Sequence, residues 1–232
     1  MAIPDPTVRR VLVTGAARGI GRAIAAALAD DAALVLTVRR PADAEELRSA
    51  FPGAQVLLLD LAAPAAVAGA CAGLPDVDAL VHCAGVEGVA PAADLTPDLL
   101  AAVLTTNVAG PVELTRTLLP GLRRQRGHVV FVSSTAALRT IPGWSAYTAS
   151  KAAVRAYADT LRAEEAAHHV RVTSVFPGRT DTGMQRRIAA QAGREFDPAT
   201  AMDAASVAGA VRYVLDAPAD AVVPELTVEP AP

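Results

Sequence analysis

The apolar positions of the chain fall into short continuous runs that alternate with longer stretches of helical periodicity. Six runs predict buried strands and a weaker seventh predicts a strand that closes the sheet: 8–13, 33–38, 54–59, 77–82, 128–133, 170–176 and, for the weaker one, 225–228. Continuous apolar strands separated by helices are typical of a parallel sheet covered on both faces. The pattern therefore predicts an α/β fold, a doubly wound parallel sheet in three α/β/α layers with right-handed crossovers.

Residues of chemical interest follow the ends of these predicted strands. In doubly wound sheets a ligand binds at the carboxyl ends of the strands. We therefore expect the residues at these ends to converge on one crevice: Gly15, Arg39, Asp60, Ala84, Ser134 and Pro177.

The composition suits one domain over residues 1–232. Apolar residues make up 52% and aromatic residues only 3% of the chain, so we expect a core of mainly Ala, Val and Leu. The net charge of −3 gives no basic surplus for nucleic acid or an anionic membrane.

The start, M-A-I-P-D-P-T, lacks the apolar core of a signal peptide, and no run is long enough to span a membrane. Cys71 and Cys83 are too few for a disulfide framework, which favours a reduced, cytoplasmic protein.

A glycine-rich turn follows the first predicted strand. V-R-R-V-L-V leads into T-G-A-A-R-G-I-G, with Gly15, Gly19 and Gly21, and then into the helical stretch R-A-I-A-A-A-L-A. We expect Gly15 to allow a sharp turn and Gly21 to allow close helix packing. The helix N-terminus offers free N–H groups and a positive dipole end to a pyrophosphate. A tight strand-to-helix connection without a ligand is the alternative interpretation.

The end of the second predicted strand is basic. Dinucleotide-binding folds usually place an acidic residue there for the ribose hydroxyls. In this chain the position is Val38, followed by Arg39 and Arg40, and Arg18 lies in the glycine turn. Because guanidinium groups match phosphate oxygens bidentately, this set suits a 2′-phosphate. The alternative is that Arg39 and Arg40 are solvated loop charges.

A tyrosine and a lysine lie four residues apart in S-A-Y-T-A-S-K, so Tyr147 and Lys151 share one helix face. We expect the ammonium to lower the pKa of the phenol from about 10. Ser134 ends the apolar strand thirteen residues earlier. Hydroxyl, phenol and amine suit proton transfer to or from a carbonyl oxygen. For Y-x-x-x-K alone, a surface helix without a chemical role is the alternative.

A long helical pattern around Asn107 contains Gly110 and Pro111. Proline has no N–H and clashes with the carbonyl four residues earlier, which here belongs to Asn107. We expect that carbonyl to be freed from the helix ladder and able to hold a water. The alternative is that Pro111 only kinks a core helix.

These motifs together resemble the short-chain dehydrogenase/reductase family, in its compact single-domain branch. The matching positions fall in the order and spacing of that family over nearly the whole chain: T-G-x-x-x-G-x-G at 14–21, Asp60-Leu61, A-G at 84–85, Asn107, Ser134, Tyr147, Lys151 and Pro177-Gly178. The resemblance implies a Rossmann-like fold. One departure is H-C-A-G at 82–85, where the family usually has N-N-A-G, and we interpret His82 as a structural substitution.

The resemblance also implies residue roles. Tyr147 would be the acid in reduction and the base in oxidation, and Lys151 would bind the nicotinamide ribose and lower the pKa of the tyrosine. Ser134 would donate to the substrate oxygen, with Ser133 as the nearest rival, and an Asn107-bound water would relay protons. Arginines at the positions of Arg18 and Arg39 accompany NADP in the family, so we expect NADP(H) as the cofactor.

The cofactor-binding residues that follow from the resemblance and the motifs are Gly15, Ala17, Arg18, Gly19, Ile20, Gly21, Arg39, Arg40, Asp60, Leu61, Cys83, Ala84, Gly85, Tyr147, Lys151, Pro177, Gly178, Thr180 and Thr182. Among them, Asp60 is expected to accept from the adenine amino group or to act as a helix N-cap. Thr180 is expected to meet the carboxamide and Thr182 the amide or phosphate. No metal site is expected. Residues 185–202 form a candidate lid, whose arginines at 186, 187 and 194 either meet an anionic substrate or are solvated.

The sequence thus predicts an NADPH-dependent oxidoreductase that interconverts a carbonyl and an alcohol on a small-molecule substrate. Two alternatives stay open: a redox-neutral isomerase or lyase on the same fold, and a non-catalytic NADP(H)-sensing protein. By resemblance we expect a homodimer through the helix that starts near Tyr147, which carries Ala149, Ala152, Ala153 and Ala156. A tetramer is less expected, because the ending E-L-T-V-E-P-A-P lacks D-G-G, and its prolines, Pro230 and Pro232, donate no backbone hydrogen bond.

Overall fold

Seven parallel strands form the central sheet of the computed structural model, which describes residues 8–231. Their order across the sheet is β3-β2-β1-β4-β5-β6-β7. The strands are β1 (Arg10–Val13), β2 (Ala33–Val38), β3 (Gln55–Leu58), β4 (Ala79–His82), β5 (His128–Val132), β6 (Arg171–Pro177) and β7 (Glu225–Val228). All seven predicted strands and the doubly wound α/β fold are confirmed, but β3, at the edge of the sheet, is not buried as expected, and its Leu58 is 47% exposed. Expectations for the first seven residues and for Pro232 concern positions outside the described residues.

The described chain contains eight α-helices. They are α1 (Gly19–Leu28), α2 (Pro41–Ala50), α3 (Pro64–Ala70), α4 (Pro97–Leu104), α5 (Gly110–Gln125), α6 (Ser145–Glu165), α7 (Gly183–Gln191) and α8 (Ala204–Leu215). Short 3₁₀ turns occupy 135–137, 166–168 and 198–200.

Two apolar cores lie on opposite faces of the sheet. Successive strand residues point to opposite faces, so Val11 and Val13 of β1 join one core and Leu12 joins the other. Helices α1, α2 and α8 supply the first core, and α3, α5 and α6 supply the second. Val, Leu and Ala dominate both cores, as the composition predicted, while Phe131 and Phe176 are the largest fully buried side chains.

The strand order reverses between β1 and β4, which are neighbours in the sheet. Such a switch point opens a crevice at the carboxyl ends of the strands. Thr14, directly after β1, ties the two ends together: its hydroxyl oxygen accepts from the Cys83 N–H at 2.9 Å and from the Ala84 N–H at 3.0 Å. These hydrogen bonds hold the ends of β1 and β4 together at the base of the crevice.

The helical stretch around Asn107 is interrupted by one π-helical turn, Thr105–Ala109, between α4 and α5. Within it the Gly110 N–H donates to the Thr105 carbonyl, five residues back. Because Pro111 has no N–H, it provides no donor for the carbonyls of Thr106 and Asn107, five and four residues earlier. The predicted break in the ladder is present as a widened turn. The water-holding role of the Asn107 carbonyl stays a prediction.

Candidate active site

The glycine turn between β1 and α1 packs too closely for side chains. Gly15 has a φ of +69°, and a Cβ there would lie 2.8 Å from the Ala84 Cα. A Cβ on Gly21 would collide with the Gly15 carbonyl. Arg18, the N-cap of α1, makes no side-chain capping bond, so within the described chain no side chain caps this helix start. The turn is thus shaped to present backbone N–H groups to an anion.

A cleft of about 720 Å³ runs along the carboxyl edge of the sheet from the glycine turn to the start of α6. A volume of this size is within the range of small-molecule and cofactor sites. Sixteen of the predicted cofactor-binding residues line it: Gly15, Ala17, Arg18, Gly19, Ile20, Gly21, Arg39, Arg40, Asp60, Leu61, Cys83, Ala84, Gly85, Tyr147, Lys151 and Thr182. The donors and glycines present fit a dinucleotide. The lining does not include Asn107, Ser134, Pro177, Gly178 and Thr180.

The three arginines at the basic end of the cleft are not equivalent. Arg40 is engaged with Asp43, its Nε donating to Oδ2 at 2.8 Å and its Nη2 to Oδ1. This carboxylate raises the pKa of Arg40, and the pKa of Asp43 is lowered in turn. Arg18 and Arg39 are exposed, and no salt bridge joins either of them to another described residue. Arg18 and Arg39 are therefore the guanidiniums available to a ligand.

Asp60 follows β3 and lines the cleft. Its Oδ1 accepts from the Ala62 N–H at 2.9 Å, which stabilises the turn before α3. The N-cap of α3 is Ala63, so Asp60 does not cap that helix, contrary to one of the two expectations.

The catalytic candidates Tyr147 and Lys151 lie in the first two turns of α6 and are both buried. The Lys151 Nζ is 5.5 Å from the centre of the Tyr147 ring and donates to the Val132 carbonyl at 3.3 Å. Ser134, just after β5, accepts from the Ala136 N–H at 3.1 Å, and its hydroxyl lies near enough to Tyr147 to lower the pKa of the phenol. The structure therefore brings hydroxyl, phenol and ammonium together.

Burial is the main influence on the pKa values of Tyr147 and Lys151. It raises the pKa of Tyr147 to about 12, although the hydrogen bond from Ser134 opposes this shift. It lowers the pKa of Lys151 to about 8, because the charged ammonium loses water. From the sequence we expected Lys151 to lower the pKa of Tyr147. This prediction was wrong, because the pKa of Tyr147 is raised overall. Desolvation of the phenol is the largest cause, and the negative charge of the Glu87 carboxylate adds to it.

The Asn107 side chain connects the loop after β4 to α6. Its Oδ1 accepts from the Val86 N–H at 2.8 Å, while Nδ2 donates to the Val86 carbonyl at 2.9 Å and to the Ser150 Oγ at 3.0 Å. A Cβ on Gly85 would lie 3.3 Å from the Asn107 Oδ1 and 3.8 Å from the Lys151 Nζ. Asn107 thus positions the cleft wall beside Lys151.

His82 is a buried part of the sheet. The Thr115 hydroxyl donates to the Pro111 carbonyl at 2.9 Å, so it accepts from His82 Nε2–H at 2.8 Å. The ring stacks on Phe131 at 4.7 Å, and burial lowers the pKa of His82 to about 3. These contacts agree with a structural role. Burial likewise raises the pKa of the neighbouring Cys83 thiol to about 12, so Cys83 is not a thiolate nucleophile.

The segment after β6 reaches the cleft through Thr182. Pro177 is the last residue of β6, and the Thr180 hydroxyl donates to the Gly178 carbonyl at 3.1 Å. Thr182 caps α7 by accepting from the Gln185 N–H at 3.4 Å, which leaves its own proton free to donate into the cleft. Its methyl carbon would lie 3.4 Å from a Cβ built on Gly19.

Two arginines at the start of the candidate lid have different partners. Arg186 donates to Asp181 at 2.7 Å and lies over the Phe196 ring, within its own segment. Arg187 donates from Nε to Glu87 Oε1 at 2.6 Å, across the cleft. Thr14 belongs to the glycine motif but had no role assigned from the sequence, and Asp43 and Glu87 were not identified from it. Asp43 was detectable as an acidic residue three positions after Arg40, whereas no local pattern signals a contact over one hundred residues.

The chain belongs to the short-chain dehydrogenase/reductase family, because the family model for short chain dehydrogenase matches residues 9–193. Dehydrogenase/reductase SDR family member 7B of Bos taurus is 40% identical over 190 residues. That alignment covers 75% of this chain and 58% of the bovine protein, so the chain spans a little over half the length of that relative.

Solved structures agree with this assignment. Serine dehydrogenase complexed with NADP⁺ superposes with a TM-score of 0.87 at 29% identity, over 95% of this chain and 94% of that one. The alcohol dehydrogenase of Thermococcus sibiricus, complexed with 5-hydroxy-NADP, gives 0.83 at 28% identity, over 96% of both chains. Within residues 8–231, no helix is long and apolar enough to cross a membrane.

Proposed function

We propose that the chain is an NADP(H)-dependent oxidoreductase that interconverts a carbonyl and an alcohol. The observation that carries this proposal is one cleft with two chemically distinct ends. At one end Val38 is followed by Arg39, with Arg18 in the facing glycine turn. At the other end lie Tyr147 and Lys151. The NADP complexes of two structurally similar dehydrogenases support the choice of cofactor.

The cofactor, when bound, supplies or accepts a hydride at the substrate carbon. Tyr147 gives a proton to the carbonyl oxygen in reduction and removes it in oxidation. A phenol with its pKa raised to about 12 is protonated at neutral pH, which suits the acid role. The Ser134 hydroxyl lies beside the phenol and stabilises charge on the same oxygen. Lys151 holds the nicotinamide ribose.

A substrate panel tests this function. Aldehydes, ketones, imines and β-ketoacyl thioesters are offered with NADPH, and absorbance of the reduced nicotinamide is followed. Loss of NADPH in step with product supports the proposal. Product formation without NADPH loss indicates the redox-neutral alternative. Tight NADPH binding without turnover of any class indicates the sensing alternative.

The same proposal includes a two-fold dimer through α6. Ala149, Ala152 and Ala156 lie on one face of this helix and are exposed in the described chain. Small residues let helices approach closely, and a two-fold axis would pair this face with its own copy. Light scattering at micromolar concentration tests it: a dimer supports the helix-face argument and a monomer contradicts it. Unpaired Cys71 and Cys83 favour a reducing, cytoplasmic compartment.

A further inference from the structure

An ion pair joins two walls of the cleft that are far apart in sequence. Arg187 on α7 donates from Nε to Glu87 Oε1 at 2.6 Å and from Nη2 to Glu87 Oε2 at 3.1 Å. Glu87 lies in the loop that follows β4, and both side chains line the cleft. We call this pair the Glu87–Arg187 clasp.

The clasp differs from an ordinary surface ion pair. The Glu87 side chain is only 16% exposed, while that of Arg187 is 50% exposed. The two parallel bonds give the fork geometry that makes arginine–carboxylate pairs specific. Arg187 is the main cause that lowers the pKa of Glu87 against the opposing effect of burial. The carboxylate is therefore ionised and paired with Arg187.

A second residue near the start of α7, Thr182, also lines the cleft. Thr182, the N-cap of α7, lies near the glycine turn: a Cβ built on Gly19 would be 3.4 Å from the Thr182 methyl carbon. The N-terminal end of α7 therefore lies close to the glycine turn, and Arg187 reaches Glu87 in the loop after β4. Arg186, one residue earlier, pairs instead with Asp181 of its own segment. Thr182, Glu87 and Arg187 all line the cleft, so a nucleotide bound there would lie next to them.

We propose that Glu87 and Arg187 are positioning residues that hold α7 closed over the bound nicotinamide nucleotide, so that its release requires the clasp to open. This rests on the proposed function in assuming that the cleft binds such a nucleotide. Opening the clasp costs free energy, because two charge-assisted hydrogen bonds are replaced by contacts with water. This cost slows release of the nucleotide even though neither side chain needs to contact it. Glu87 and Arg187 act on residence time, whereas Arg18 and Arg39 act on recognition of the phosphate.

The test measures the NADPH dissociation rate by stopped-flow displacement, following the fluorescence of the nucleotide. We expect release to be about 10-fold faster from Glu87→Gln and from Arg187→Gln, since the pair is charge-assisted but partly exposed. Arg187→Lys keeps the positive charge but cannot form two parallel hydrogen bonds to the carboxylate. Its NADPH dissociation rate is expected to lie between those of the two glutamine variants and that of the unchanged protein. The matched control is Arg186→Gln, on the same helix, for which we expect release within 2-fold of the unchanged protein.

A charge swap makes the test specific. The double variant Glu87→Arg with Arg187→Glu is expected to restore slow release, because it rebuilds the pair in the opposite sense. Unchanged release from both single variants, with NADPH still bound, would overturn the clasp alone. Equal acceleration in Arg186→Gln, or a double variant as fast as the singles, would also overturn it. Absence of any NADPH or NADH binding by the unchanged protein would overturn both the clasp and the proposed function.

Discussion

Arg40 donates from Nε to Asp43 Oδ2 at 2.8 Å, whereas its neighbour Arg39 has no salt bridge to a described residue. The two arginines look alike in sequence but differ in what they can offer to a ligand. A guanidinium that already holds a carboxylate has to give up that pair before it binds a phosphate. The difference supplies an internal control for the cofactor proposal.

Replacement of Arg39 by alanine is expected to weaken NADPH binding and to change NADH binding little. Loss of a charge-assisted hydrogen bond costs about 1.5–3 kcal/mol, or roughly 10- to 150-fold in affinity. Arg40→Ala, the control, is expected to have a smaller effect because Arg40 is paired with Asp43. Calorimetric titration of both cofactors measures this, and equal losses for NADPH and NADH in Arg39→Ala would sink the 2′-phosphate argument.

Ser133 and Ser134 allow a second comparison of neighbours. The Ser133 Oγ is buried and has no partner among the described residues, while Ser134 lies beside the Tyr147 phenol. We expect Ser134→Ala to lower kcat by about 10²-fold, as for loss of one donor to a developing oxyanion. Ser133→Ala is expected to lower it much less. Steady-state kinetics on an active substrate measure both, and a larger loss in Ser133→Ala would reverse the assignment.

The pKa of Lys151 near 8 predicts a pH limit on activity. This pKa is lowered from 10.5 by burial, so the ammonium is charged below about pH 8 and neutral above it. We expect kcat/KM for NADPH to fall as the pH rises through 8, since kcat/KM reports ionisations of the free enzyme. A pH profile between 6 and 10 is the measurement. A profile that stays flat to pH 10 would contradict the role of a charged Lys151.

Two buried histidines predict loss of stability in weak acid. Burial lowers the pKa of His82 and of His128 to about 3 in the folded protein, whereas the unfolded value is near 6.5. Below pH 6.5 the unfolded chain binds protons that the folded chain excludes, so stability falls as the pH decreases from 6.5. The effect is about 2 kcal/mol per histidine at pH 5.

Urea unfolding of His128→Gln between pH 6.5 and 5 isolates one of these histidines. Glutamine retains an N–H donor for Thr173, the partner of the His128 Nε2, but does not titrate. We expect the variant to lose less stability over this range than the unchanged protein, by about 2 kcal/mol. Parallel pH curves would show that His128 is not the group responsible.

The sequence predicted the sheet well because each strand is a continuous apolar run bounded by polar residues. It also located Gly15 and Gly21, since a close-packed turn restricts the residue types that it tolerates. It failed where tertiary contacts decide the outcome. The net pKa shift of Tyr147 depends on burial, and the Glu87–Arg187 contact spans one hundred residues, so neither leaves a local pattern.

The central claim, proton transfer by Tyr147 coupled to hydride transfer from NADPH, is tested most directly with NADPH that carries deuterium on the transferred position. The chosen substrate is a carbonyl compound turned over by the unchanged protein. We predict one deuterium on the alcohol carbon per NADPH consumed, seen by mass spectrometry. Tyr147→Phe is predicted to bind NADPH normally and to form this product about 10²- to 10⁴-fold more slowly. Product without deuterium, or near-normal turnover by Tyr147→Phe, would contradict the account.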